Sequence, residues 1–366
     1  MASVTFEKIT KRFGSFTACE NLDLEIRDGE FVCLLGPSGC GKTTTLRMMA
    51  GLETPTSGRV LIGDRDVTAV HPKDRKIAMV FQDYALYPHM NLADNISYPL
   101  KVRGESREAR HAEARRVGDV LQIGHLMERM PAQISGGQQQ RTSLARALVT
   151  PSEVYLFDEP LSNLDAKLRL DARGFLNHLQ RDLGITAVYV THDQAEAMAL
   201  ATRIAVMDRG RIVHYAPPLE IYHRPATTFV ASFVGNPPMN LIDCTARIEG
   251  GALVLEAEGL TVPKLPVTPA IEAAAAEGKM TFGVRPEHLW IADGSEAGQI
   301  AGELFANENM GPESLVTLAR TKDSRLTARL FTDEPLNLPE TTRLGFATTH
   351  VHLFGPDGVR VPGVDE

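Results

Sequence analysis

The chain has no long hydrophobic run, no paired-cysteine motif, no excess of positive charge and no sustained heptad repeat, and each absence removes a class of protein. Among 366 residues, 43% of them hydrophobic, no stretch approaches the ~18 consecutive apolar residues of a membrane-spanning helix. The first residues lack the basic-then-apolar order of a secretory leader, so the chain is expected to stay in the cytoplasm. Its four cysteines, Cys19, Cys33, Cys40 and Cys244, have no C-x-x-C spacing and point to neither zinc nor a disulfide framework. The formal charge of -8 is uneven: residues 1–235 carry 28 Lys+Arg against 27 Asp+Glu, and residues 236–366 carry 10 against 19. An acidic second half is poorly suited to tracking phosphate backbones, so nucleic acid is not an expected partner. The charge step coincides with the linker Gly235-Asn236-Pro237-Pro238, which sets the expected domains at 1–235 and 236–366, each long enough for its own core.

What is present begins with GPSGCGKTT at 36–44. Gly36, Gly41, Lys42 and Thr43 satisfy G-x-x-x-x-G-K-[ST], and the apolar run before them, 31–35, reads as a buried parallel strand. A helix is expected over 44–52, ended by Gly51. Strand, glycine loop and helix N-terminus together form an anion cradle, because successive N–H groups face the phosphates and the helix dipole adds positive charge. In such a loop the lysine reaches the outer phosphates of a nucleotide and the hydroxyl of Thr43 meets Mg²⁺. Cys40, beside the helix N-terminus, is expected to favour its thiolate.

A second buried strand, 154–157, runs into Asp158, where a magnesium aspartate belongs, and Glu159 follows, placed to orient or deprotonate an attacking water. Beyond it, Leu164, Leu168, Ala172, Phe175, Leu176, Leu179 and Leu183 share one helical face. Another apolar strand, 187–190, delivers Thr191-His192-Asp193 at its end, where an open α/β sheet meets its ligands.

The ordered set of motifs resembles an ATP-binding cassette (ABC) ATPase, and more narrowly the nucleotide-binding subunits of bacterial carbohydrate importers of the maltose and glycerol-phosphate type. The resemblance covers nearly the whole chain. It implies an α/β P-loop ATPase domain with a helical subdomain at about 83–150, then a β-rich, OB-like (TOBE/MOP-type) regulatory domain. It makes Gly36, Pro37, Ser38, Gly39, Cys40, Gly41, Lys42, Thr43 and Thr44 the Walker A loop, with Phe13 under the adenine. Gln82 corresponds to the Q-loop glutamine, and Ser135, Gly136, Gly137 and Gln138 to the signature. Residues 155–158 correspond to Walker B, Glu159 to the catalytic glutamate, 162–165 with Asp165 to the D-loop, and His192 to the switch histidine. Thr43, Gln82 and Asp158 would then hold Mg²⁺ with ATP, while Glu159, His192 and Lys42 carry the chemistry. Two departures stand in the signature region: Ile134 replaces leucine, and Gln139 precedes Gln140 where a basic residue is common.

The signature serine begins a helix, whose open N–H groups suit an anion. In this family that anion is the γ-phosphate held by a second ATPase subunit, identical or a close paralogue, so the working unit is a head-to-tail dimer. The resemblance further implies two transmembrane permeases, an extracytoplasmic solute-binding protein in the complex, and a place on the cytoplasmic face of the bacterial inner membrane. Residues 84–89, YALYPH, resemble the segment that receives a permease helix, and an aromatic, apolar patch rimmed by charge is what a docking groove needs.

In the second module, alternating stretches at 253–257, 314–319 and 326–331 read as strands of a small barrel, and 273–276 as a helical turn or two. FGVRPEH at 282–288 resembles the regulatory-domain motif of the importers, with Arg285 and Glu287 read as a structural ion pair; a regulatory protein is a possible partner of this domain. Rival classes are weaker. A DNA-repair cassette inserts long coiled coils where about ninety residues intervene here, translation cassettes come in pairs, and Glu159 with His192 argues against an inactive one. Import of polyamine, iron or sulfate stays open beside import of sugars, polyols or glycerol conjugates, although 73–75, 84–89 and 236–240 resemble the carbohydrate group. The solute itself is not encoded in this chain.

Overall fold

Phe31–Leu35 is buried at all five residues, as a continuous apolar run requires of a strand covered on both faces. The computed structural model describes residues 1–162, 164, 166–322 and 324–363, with backbone alone for Leu168, Leu179, Asp182 and Leu183. In the first of two units, Met1–Pro218, this strand sits inside a six-stranded sheet. Its order is Arg211–Ala216, Arg203–Asp208, Phe31–Leu35, Ala187–Val190, Val154–Asp158, Ile77–Val80. The last five run parallel. Phe31, Phe157 and Tyr189 cluster on it, ring centroids 5.8–6.2 Å apart. The parallel register is the device that builds the site, because Leu34 pairs with Val190, and Val190 with Asp158, so neighbouring strands end together.

A four-stranded antiparallel sheet, ordered Phe16–Ile26, Val4–Phe13, Ser57–Ile62, Arg65–Asp66, shares a core with the helix Lys42–Ala50. That helix starts two residues before the expected 44 and closes at Gly51, whose φ of 75° suits glycine. Arg75, 1% exposed, donates to the carbonyls of Met48 (2.8 Å) and Met49 (3.0 Å), placing positive charge at the helix's negative end. Three helices form the expected helical subdomain: Leu92–Val102, Arg107–Val120 and Gly136–Leu148. Each begins at a side-chain cap, Asn91, Ser106 and Ser135.

The second unit, Leu219–Glu366, encloses one core between two antiparallel sheets. The expected alternating strands are Ala252–Glu256, Glu313–Ala319 and Arg325–Phe331, and the alanine stretch belongs to the helix Pro269–Ala275. Asn240 stitches the two sheets together, its amide exchanging hydrogen bonds with the backbone N–H and C=O of Thr327 at 2.8 and 2.9 Å. The unit begins earlier than the Gly235 linker because the short helices before that glycine pack on the barrel. Arg285, 1% exposed, donates to the carbonyls of Val234 and Tyr222 and lies 4.1 Å above the Tyr222 ring. The Tyr222 hydroxyl in turn donates to Glu287, and burial first, then this carboxylate, pushes the phenol up to about 12. The expected Arg285–Glu287 pairing is therefore replaced by two separate anchors for the chain entering the barrel.

Candidate nucleotide site

Four adjacent parallel strands empty into one place. Leu35 leads into the glycine loop, Val80 into Phe81 and Gln82, Asp158 into Glu159, and Val190 into Thr191 and His192. At Gly36 a Cβ would lie 2.3 Å from the Met207 carbonyl oxygen, and at Gly41, where φ is 106°, it would lie 2.6 Å from that of Ala18, so neither position accepts a side chain without moving backbone. Gly41 caps the helix Lys42–Ala50 with no side chain bonded to its first turn, in contrast to the capped helices of the subdomain. Lys42, 7% exposed, arches back over the loop and donates to Gly36 O at 2.7 Å and Pro37 O at 3.0 Å. The result is an enclosed ammonium on a glycine loop that leads into an uncapped helix N-terminus, a fit for phosphate.

Thr43 donates its hydroxyl to Asp158 Oδ1 at 3.4 Å. Burial raises the Asp158 carboxyl above the usual carboxylate range, with Arg47 pulling the other way and Glu159 adding to the rise. Next to it Glu159 adopts φ 44°, a left-handed conformation that costs a non-glycine residue energy and that concentrates at functional positions. Its N–H bonds to Val190 O at 3.0 Å and its C=O accepts from Ser162 Oγ at 3.0 Å. The carboxylate thereby meets two partners on one atom: Gln82 Nε2 lies 3.3 Å and His192 Nδ1 3.1 Å from Oε2. Residues from three strands, expected separately, converge there.

Other expected residues stand apart from this cluster. Phe13 is 45% exposed, with Lys11 Nζ 4.6 Å from its ring centroid, so it is an open platform and not core. Ser135 and Gln138 bond reciprocally, Gln138 N–H to Ser135 Oγ at 3.4 Å and Ser135 N–H to Gln138 Oε1 at 3.0 Å. This capping box takes up one amide of the helix start and leaves those of Gly136 and Gly137 without an intrahelical acceptor. Gln139 turns back to Pro131 O at 2.9 Å, which makes the departure at that position an internal tie. Asn163 and Asp165 lie outside the described residues.

The thiolate expectation for Cys40 is overturned. The residue is 3% exposed, and burial raises its thiol pKa although Lys42 pulls the other way. In the folded protein at neutral pH, alkylation of Cys40 is expected to run at least about tenfold slower than that of a free thiol. Mass spectrometry before and after denaturation checks this, and rapid native labelling would contradict it.

The docking expectation divides. Tyr84 is 7% exposed and belongs to the subdomain interior, whereas Tyr87 packs at a tilt against Tyr98, ring centroids 4.8 Å apart, and lines a groove of about 300 Å³ with Met79, Phe81, Ala85 and Arg146. Sequence reasoning missed what holds this segment. Asn95, fully buried, accepts from Tyr87 N–H and donates to the carbonyls of Tyr87, Met90 and Asn91 at 2.8–3.1 Å. Ser143 and Arg146 donate to Tyr84 O at 2.9 and 2.8 Å, and Arg146 also to Ala85 O at 2.7 Å, fixing two residues at φ 61° and 47°. An asparagine and an arginine inside a helix carry no sequence signal for such clamps.

Among the described residues no helix is long and apolar enough to cross a membrane. Residues 19–162 match the ABC transporter family and 235–289 the MalK OB fold domain. The chain is 45% identical to the sulfoquinovosyl glycerol transport ATP-binding protein SmoE of Agrobacterium fabrum, over 97% of this chain and 98% of that one. It is 43% identical to the sn-glycerol-3-phosphate import ATP-binding protein UgpC of Brucella abortus, over 99% of each. It is 46% identical to the trehalose/maltose import ATP-binding protein MalK of Thermococcus litoralis, over 87% and 88%. Among solved structures it is similar to the ATP-binding cassette MJ0796, a dimer in a post-hydrolysis state bound to ADP and Pi. That match has a TM-score of 0.54 and 31% identity, and it covers 59% of this chain and 98% of the other.

Proposed function

The chain belongs to the ATP-binding subunits of ABC importers, and from that premise we propose that it hydrolyses ATP to drive uptake of a carbohydrate or related solute, such as a sugar derivative or glycerol conjugate, through partner permeases. The observation that carries the reading is the convergence of Gln82 and His192 on one carboxylate oxygen of Glu159, beside a glycine loop with an enclosed lysine. The solute class follows from the relatives matched along nearly their full length.

Each residue then has a task. Phe13 offers its face to the adenine. The loop amides from Gly36 to Thr44 and the Lys42 ammonium hold the phosphates. Thr43 and Asp158 fit a magnesium ion: a hydroxyl faces a carboxylate whose pKa burial raises, and a bound cation would favour its charged form. No cluster of three or more His, Cys, Asp or Glu suited to a metal occurs among the described residues, and magnesium held with substrate phosphates needs only one or two carboxylates. When bound, the ion supplies charge neutralisation of the phosphates. Gln82 completes that set and reports it to the groove. Glu159 takes the proton of the attacking water or orients it, and His192 steadies Glu159 and the developing phosphate charge.

The amides of Gly136 and Gly137 are available to the ATP of a second subunit, identical or paralogous, in a head-to-tail dimer that closes on ATP and opens after hydrolysis. The groove around Tyr87 suits a short apolar permease helix, which supports a peripheral position on the cytoplasmic face of the inner membrane and a solute-binding protein outside as further parts of the reading. The barrel unit is suited to contact its copy or a regulator. Recovery of the tagged chain from gently solubilised membranes of its native bacterium, read by mass spectrometry, is expected to bring two multi-span permeases with it. Recovery of soluble DNA or ribosome factors alone would move the chain to a non-transport ATPase.

A further inference from the structure

The His192 side chain is 63% exposed, so no packing fixes its ring, yet it meets Glu159 at 3.1 Å. Its placement must come through the backbone on either side. Before it, the strand Ala187–Val190 leads into Thr191, 2% exposed. After it, Asp193 caps the helix Gln194–Leu200 by accepting from Ala195 and Glu196 N–H. A buried polar chain joins the two: Asp193 N–H donates to Thr191 Oγ1 at 2.9 Å, and the Thr191 hydroxyl donates to Glu196 Oε2 at 2.8 Å. The same Glu196 oxygen accepts from Tyr189 OH at 2.8 Å. Tyr189 is fully buried and Glu196 is 3% exposed.

The carboxylate thus fastens the first turn of a helix to the end of a strand, and His192 occupies the short bridge between them. Buried polar groups in a directional chain define one geometry, because any other leaves a donor or acceptor without a partner. We propose that Thr191 and Glu196 are positioning residues for His192, holding its imidazole against Glu159 without themselves touching ATP. The inference rests on the reading of His192 as part of the catalytic machinery.

The test uses the full-length protein and single-turnover hydrolysis of γ-labelled ATP, which detects slow variants. Thr191→Val keeps the shape and removes the hydroxyl. It is expected to lower the hydrolysis rate constant on the order of ten- to a hundredfold, the scale of a small misplacement of a catalytic group, while ATP affinity stays within about twofold because the phosphate loop is untouched. Thr191→Ser is expected to restore the rate. In a His192→Ala background Thr191→Val should cause no further loss, since there is no longer a ring to misplace. Glu196→Gln, which keeps the volume and an acceptor oxygen, provides a milder second perturbation whose loss should vanish in the same background. Losses that multiply with His192→Ala, or a fall in ATP affinity matching the fall in rate, would overturn the proposal. A His192→Ala protein with wild-type turnover would overturn the site reading and this inference together.

Discussion

Glu159→Gln is expected to lower ATP hydrolysis by about three orders of magnitude, within the range for loss of a positioned general base, while leaving ATP binding intact. The amide keeps the size of the side chain and an oxygen to accept from Gln82 or His192, so the constellation on Oε2 is preserved in shape. What is lost is basicity. The strained backbone, φ 44°, is held by the bonds to Val190 and Ser162 and does not depend on the carboxylate, which argues against a folding defect. A protein that binds ATP without turning it over should accumulate in the closed dimer. Phosphate release measured beside nucleotide titration, with size-exclusion chromatography in ATP, tests all three points. Hydrolysis at the normal rate would remove Glu159 from its assigned role.

Lys42→Ala fails at the earlier step. The ammonium sits inside the loop on two carbonyls, the arrangement of a cation waiting for an anion. ATP affinity is expected to fall on the order of a hundredfold, the worth of one or two charge-assisted hydrogen bonds to phosphate. Thermal stability without nucleotide should change little, because removing the buried ammonium also removes the cost of its desolvation. Stabilisation by added ATP should disappear. Titration with a fluorescent nucleotide and melting with and without ATP separate these outcomes; unaltered affinity would exclude Lys42 from phosphate binding.

How much of this was legible in the sequence depends on how local the cause is. The strands Phe31–Leu35, Val154–Asp158 and Ala187–Val190 were readable because burial on both faces demands an unbroken apolar run, and the residue that follows each run is delivered to the site by topology alone. The capped start at Ser135 was equally local. The thiol of Cys40 was misjudged because the sequence displays the helix N-terminus beside it but not its burial, which outweighs Lys42 Nζ 3.8 Å from the sulfur. Tyr84 and Tyr87 look alike in a string, and only the packing of the helix Gly136–Leu148 buries one and leaves the other on a groove. The anchoring roles of Arg75, Asn95 and Glu196 escaped notice because each serves backbone or side-chain groups brought near by the fold, with no periodicity to betray them. Arg285 and Glu287 were read as a structural ion pair, whereas each is tied to another group: the Val234 and Tyr222 carbonyls and the Tyr222 hydroxyl come from a segment first assigned to the other domain.

One element joins the two ends of the proposed machine. The helix Gly136–Leu148 is 13 residues long, about 20 Å at 1.5 Å per residue. Its start presents the amides of Gly136 and Gly137, and its last turn carries Arg146, bonded to the Tyr84 and Ala85 carbonyls beside the groove. A hydrogen-bonded rod of this length scarcely shortens under load. The separation between those amides and the groove wall is therefore set by a single strut, as in a push-rod, with no slack loop in between to absorb a stroke.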